Sequence, residues 1–111
     1  MLKVENVNNV IVTRFDNVDR FNALITEQVK EELKKILSAP NTNLALNLKG
    51  VKFIDSSGFG VFLSVLKTAA SNKGKFKLCC IGKEVLELFK LLQLHNVFEI
   101  HESEEACVAS F

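Results

Sequence analysis

The residues able to do chemistry gather in one short run, Asp55-Ser56-Ser57-Gly58-Phe59-Gly60. A carboxylate, two hydroxyls and two glycines stand just before a strongly apolar stretch. Three chemistries draw on residue types of this kind. A serine nucleophile for acyl transfer needs a GxSxG turn and a nearby base. The first glycine of that turn is missing, and His95 and His101 are the only histidines in the chain. His95 follows an apolar helical pattern and reads as a cap or surface residue. A phosphate cradle needs GxxxxGK[ST], which the sequence lacks. The third chemistry is that of a hydroxyl at a helix start, on which another molecule docks or which it modifies. Ser56 or Ser57 is then the N-cap, its oxygen accepting from one of the unpaired N–H groups of the first turn. Gly58 and Gly60 leave that turn open to a partner's backbone. Each costs about 1 kcal/mol relative to alanine in a helix interior, a cost that close approach would explain.

A helix from about Ser57 to Asn72 must carry these groups, stopping at Lys73-Gly74. At about 100° per residue, Phe59, Phe62, Leu63, Leu66 and Ala70 share a stripe. Val61 and Val65 fall nearly opposite, beside Thr68, with Ser64, Lys67 and Ser71 between. Such a helix is either buried on two sides or offers a small apolar strip to a partner.

The other elements follow from pattern. Leu2–Val7 reads as an edge strand and Val10–Phe15 as a β-branched strand, with Asp16-Asn17 as a turn. Thr26 is the expected N-cap of the first helix, with Glu27 in its first turn and Val29, Leu33, Ile36 and Leu37 on one stripe. Pro40 ends it. Leu44–Leu48 is a nearly continuous apolar run, as a central strand covered on both faces requires. Phe76, Leu78 and Cys80 alternate with Lys75, Lys77 and Cys79 in a further strand, which sends Cys79 and Cys80 to opposite faces. A third helix is expected over Lys83–Gln93, a short strand over Val97–Ile100, and a last helix capped by Ser103. Lys73, Lys75 and Lys77 read as a solvated turn and strand face, and Glu102, Glu104 and Glu105 as helix-capping charge. Strands alternating with helices imply parallel pairing through helical crossovers, and the opening pair adds an antiparallel edge. The expected fold is α/β: a small single-domain sandwich over residues 1–111, with a mixed sheet of four or five strands and about four helices.

Composition narrows the function. Fourteen Lys and Arg against thirteen Asp and Glu leave a net charge of +1, too little for bulk attraction to nucleic acid. No apolar run approaches the roughly 20 residues of a membrane span, and MLKVENVNNV has no signal-peptide core. A cytoplasmic protein with reduced cysteines is expected. The three cysteines show neither CxxC nor a Cys/His ligand spacing, so neither metal nor cofactor is expected.

The run Asp55-Ser56-Ser57-Gly58-Phe59-Gly60-Val61, following Leu46-Asn47-Leu48 and Val51-Lys52-Phe53-Ile54, resembles the STAS domain, and specifically the bacterial anti-sigma factor antagonists. Arg20-Phe21-Asn22-Ala23 is similar to that family's strand-end motif, where Asp is usual in place of Asn22. Leu78-Cys79-Cys80-Ile81 resembles its later strand, and Leu92–Phe98 the loop after its third helix. Asp16-Asn17-Val18-Asp19 looks like an insertion relative to the family. The resemblance implies a STAS-like sandwich and a regulator of transcription, a binding protein rather than an enzyme. Its partners would be an anti-sigma factor serine kinase and a phosphoserine phosphatase. The unmodified antagonist would bind the kinase and free a sigma factor, and phosphorylation of Ser57 would separate the complex. Asn22, Asp55, Ser56, Ser57, Gly58, Phe59, Gly60 and Val61 would form the partner-binding segment. The alternative is a STAS subunit of a transporter or other multiprotein complex, without phosphoregulation.

Overall fold

The computed structural model describes residues 1–111. The chain opens with a hairpin of β1 (Leu2–Val7) and β2 (Val10–Phe15), paired from Leu2 opposite Phe15 to Val7 opposite Val10. Asn8 and Asn9 make its two-residue turn at φ 51° and 66°, the positive values that suit the twist of the flanking strands. The remaining elements are β3 (Arg20–Phe21), α1 (Thr26–Ile36), β4 (Asn43–Asn47), β5 (Phe53–Ile54), α2 (Ser56–Ser71), β6 (Lys75–Cys79), α3 (Lys83–Leu91), a 3₁₀ turn (Leu94–Asn96), β7 (Ile100–His101) and α4 (Glu104–Ala109).

The expected mixed sheet is present, with five strands in the order β1-β2-β4-β6-β7. β1 is antiparallel to β2, and all later neighbours are parallel. Leu44 and Leu46 of β4 point to one face, into a core of 19 buried residues that includes side chains of α1, α2 and α3. Ala45 points to the other face, where Val10, Val12, Cys79 and Cys107 form a second, smaller core beneath α4. Two covered faces explain why β4 reads as a continuous apolar run. Phenylalanine rings knit the larger core. Phe62 stacks on Phe21 at 5.4 Å and on Phe89 at 6.2 Å, and meets Phe98 edge-on at 6.4 Å.

The structure corrects several expectations. β3 and β5 form a separate two-stranded parallel ladder; two residues carry no periodicity to read. Thr26 is buried and does not cap α1; the cap position is Ile25, whose side chain makes no capping bond. α3 ends at Leu91, and β7 begins only at Ile100. Lys77 is not solvated: it is 8% exposed, lies under the C-terminal segment, and donates to the Ser110 carbonyl at 2.8 Å beside Glu99 at 2.8 Å. Ser103 caps α4 as expected, its Oγ accepting from the Ala106 N–H at 3.1 Å. Glu104 does more than favour the helix dipole. Its carboxylate accepts two bonds from Arg14, at 2.8 and 2.7 Å, and one from Asn47 Nδ2 at 2.9 Å, tying α4 to β2 and β4.

Candidate functional site

The short β3–β5 ladder builds the site. Asp19 accepts from the Lys52 N–H at 2.7 Å and the Phe53 N–H at 3.2 Å, and Phe21 accepts from the Asp55 N–H at 3.3 Å. The Asp16–Asp19 segment thus carries the chain from the main sheet across to this ladder. The ladder clamps the loop after β3, which holds Asn22, against the loop after β5, which holds Asp55.

Asp55 is the N-cap of α2, in extended conformation at φ −92° and ψ −178°. This replaces the expectation that Ser56 or Ser57 caps the helix. Its Oδ1 accepts from the Gly58 N–H at 3.1 Å and from the Ser57 hydroxyl at 2.5 Å, and its Oδ2 accepts from the Ala23 N–H at 3.2 Å. The Ser57 hydroxyl is the main cause that holds the Asp55 carboxyl below the usual range; partial desolvation opposes it, and the Gly58 and Ala23 N–H groups reinforce it. Asp55 therefore stays ionised and joins three segments: the start of α2, the Ser57 side chain and the loop before α1.

Ser56 is the first helical residue and is exposed; Ser57 is the second and is half-buried. A hydroxyl has one proton to give and two lone pairs. With its proton on Asp55, the Ser57 oxygen presents lone pairs beside the open N-terminus of α2, where N–H groups and the helix dipole favour an anion.

Asn22 is half-buried and organises the loop before α1. Its Oδ1 accepts from the Leu24 N–H at 3.1 Å. Its carbonyl accepts from the Ile25 and Thr26 N–H groups at 3.0 and 3.1 Å. An amide oxygen makes this turn as well as a carboxylate does, so a neutral Asn suffices at this position.

The eight residues expected at the partner surface divide in two. Asp55, Ser56, Ser57, Gly60 and Asn22 reach the surface, wholly or in part. Gly58, Phe59 and Val61 are buried and support the site from beneath. A Cβ on Gly58 would stand 2.6 Å from Ile54 Cγ2 and 2.8 Å from Phe21 Cδ2. That glycine lets α2 settle on the β3–β5 ladder; it does not open the turn to a visitor. A Cβ on Gly60 would meet nothing within 4 Å, so Gly60 is the open one. Along α2 the inward face is Phe59, Phe62, Val65 and Ala69, with Val61 also buried. Leu63, on the expected apolar stripe, is 42% exposed.

The pattern of the sequence did not single out Leu24, and it marked Arg20 and Phe53 only within the runs that carry the family resemblance. Leu24 follows the Asn22 turn and is 90% exposed, the most exposed large apolar residue of the chain. Phe53 is 42% exposed with the Arg20 guanidinium 5.3 Å from its ring centre. The signal available for Leu24 was its position, an apolar residue outside the α1 stripe. No group of His, Cys, Asp and Glu side chains is placed to hold a metal ion, and no helix is long and apolar enough to cross a membrane.

The anti-sigma-B factor antagonist of Bacillus subtilis (strain 168) is 27% identical over 104 residues, covering 94% of this chain and 92% of that protein. An anti-sigma-factor antagonist (STAS) domain protein from Planctomyces limnophilus superposes with a TM-score of 0.85 at 21% identity, over 97% of this chain and 95% of that one. The anti-sigma factor antagonist SpoIIAA in its unphosphorylated form superposes with a TM-score of 0.79 at 21% identity, over 97% and 93%. Those two likenesses fix the fold, and the model of the STAS domain family matches residues 2–107, nearly the whole sequence. The chain belongs to the STAS domain family.

Proposed function

We propose that this chain is an anti-sigma factor antagonist. It binds an anti-sigma factor serine kinase, which frees a sigma factor, and phosphorylation of Ser57 switches it off until a phosphatase removes the group. The observation that carries the reading is the Ser57–Asp55–Ala23 chain of hydrogen bonds at the start of α2, beside the outward-facing Leu24. The name of the B. subtilis relative supports it.

The switch has a physical mechanism. Transfer of the γ-phosphoryl group of ATP breaks its bond to the bridging oxygen, which leaves with ADP, forms a bond to Ser57 Oγ and releases the hydroxyl proton. The product carries about −1.5 to −2 charges and three acceptor oxygens. The start of α2 favours that anion, so the fold survives. Asp55 does not favour it. The carboxylate loses its hydroxyl donor and faces a dianion across one hydrogen-bond length. Turning away, it releases the Ala23 N–H, and the loop that presents Leu24 loses its tether. The cost thus falls on the docking surface, where a charged group must also be desolvated.

The test is intact mass after incubation with ATP and the cognate kinase. One phosphoryl group is expected on the parent and on Ser56→Ala, and none on Ser57→Ala. The phosphoprotein keeps the urea midpoint of the parent and binds the kinase at least tenfold more weakly. Leu24→Ala weakens binding of the unmodified chain by a similar factor, as loss of an exposed apolar anchor does. Uptake that persists in Ser57→Ala removes that serine from its role. Co-purification with a membrane ATPase and no phosphoryl uptake would instead favour a STAS subunit of a transporter complex.

A further inference from the structure

Cys79 ends β6 and Cys80 follows it. Neighbours on a strand point to opposite faces, yet these two sulfurs lie 3.3 Å apart. The backbone is the cause. Cys80 has φ 64°, the left-handed region that residues with a Cβ avoid. Its N–H is pinned to the His101 carbonyl at 3.0 Å, so the unfavourable conformation is held by the pairing with β7. Cys79 and Cys107 are both fully buried in the small core under α4. Cys80 is half-buried and lines an open cleft with Arg14, Lys49 and Ser103. The pair therefore has one residue at the cleft and one in the core, with the two sulfurs in contact.

We propose that Cys79 and Cys80 form an oxidation site, a dithiol that hydrogen peroxide closes into a disulfide between adjacent residues. The inference stands apart from the Ser57 reading and does not rest on it. The Cys80 sulfur attacks the peroxide; the O–O bond breaks, a sulfenic acid forms, and the departing hydroxide takes the thiol proton as water. The Cys79 sulfur then attacks the Cys80 sulfur. The S–S bond forms, the S–O bond breaks, and the Cys79 proton leaves with the hydroxide as a second water. Two thiols are oxidised and one peroxide is reduced.

The order of attack follows from access. Cys79 is fully buried, whereas Cys80 lines the cleft and meets the oxidant first. The product is easily reversed. The peptide bond fixes adjacent Cα atoms at about 3.8 Å, against roughly 4.4–6.8 Å across an ordinary disulfide. A strained bond of this kind is readily reduced by thiols. Because Cys79 packs in the same cluster as Cys107 of α4, closure is felt at that helix.

The experiment treats the folded chain with hydrogen peroxide and reads intact mass and disulfide-linked peptides. The expected result is loss of two hydrogens, restored by dithiothreitol, with the link mapped between Cys79 and Cys80. Cys107→Ser behaves as the parent. Cys80→Gly accepts the left-handed backbone without strain, melts at or above the parent temperature, and retains all its hydrogens at the same peroxide concentration. A link between Cys79 and Cys107 overturns the proposal. So does an oxygen that stays on Cys80 without closure, hydrogen loss that survives in Cys80→Gly, or reaction seen only after unfolding.

Discussion

Gly58 and Gly60 lie two residues apart on α2 and have opposite roles. Gly58 sits where a Cβ would meet Ile54, the Phe21 ring and, at 3.1 Å, the Phe21 carbonyl. Gly58→Ala is expected to destabilise the fold by about 1–3 kcal/mol, the usual cost of overpacking, read as a lower urea midpoint at unchanged slope. Gly60 faces open space, so Gly60→Ala should stabilise by up to about 1 kcal/mol through helix propensity. On the proposed reading the same alanine should weaken docking of the kinase, because its Cβ stands where a partner's backbone would approach that turn; a binding isotherm will show it. The sequence made the Asp55–Gly60 run visible as the candidate site, because residue types carry their chemistry with them. It did not reveal which of three cap-forming residues caps α2. Asp55, Ser56 and Ser57 are all good caps, and the choice falls to Asp55 because its N–H is held by Phe21 across the ladder, a contact between segments far apart in the chain.

At the scale of elements, α4 is held by polar bonds as well as by packing. It covers the small core of Val10, Val12, Ala45, Cys79 and Cys107, while Glu104 grips Arg14 and Asn47. The Arg14 and Glu104 side chains are 35% and 26% exposed, so water weakens the pair below its interior value. Glu104→Ala should cost about 1–2 kcal/mol, as loss of a two-pronged charged hydrogen bond at a partly exposed site does. Faster hydrogen exchange at the α4 amides, with β4 unchanged, is the expected signature; uniform acceleration across the chain would speak against a local role. α4 itself was readable from the Ser103 cap and its acidic first turn. Its attachment was not, since Glu104 and Arg14 are far apart in sequence and either charge alone reads as surface. β3 and β5 escaped for the opposite reason: two residues give no pattern, and their pairing exists only once Asp19 and Phe53 are brought together.

At the scale of the whole molecule, two properties follow from shared interactions. Phe62 is fully buried and touches the rings that join β3, α3 and the segment before β7. Phe62→Ala should cost about 3–5 kcal/mol, a large share of the roughly 5–15 kcal/mol that stabilises a domain of this kind; the thermal midpoint will report it. The second property is acid sensitivity. Lys77 is the main cause that holds Glu99 down to about 2 from an ordinary 4.5, with His101 next. Arg14 does the same for Glu104, in direction, and the Ser57 hydroxyl for Asp55. Each group is more acidic folded than unfolded, so on acidification the unfolded chain takes up protons first. Their contribution is complete above about pH 5 and is lost as the pH falls through about 4.5 towards 2. Urea midpoints should be level from neutral to about pH 5 and should fall below it; a rise on acidification would contradict the assignment. The sequence by itself determined the α/β class, the mixed sheet, the main helices and which segment is the candidate site, because hydrophobic period, caps and residue chemistry are local. Only the tertiary structure decided that Asp55 links Ser57 to Ala23, that Leu24 stands out beside it, that Lys77 is buried and that Cys79 touches Cys80. Each of these is set by which distant segments share a hydrogen bond or a core, and no local pattern encodes that.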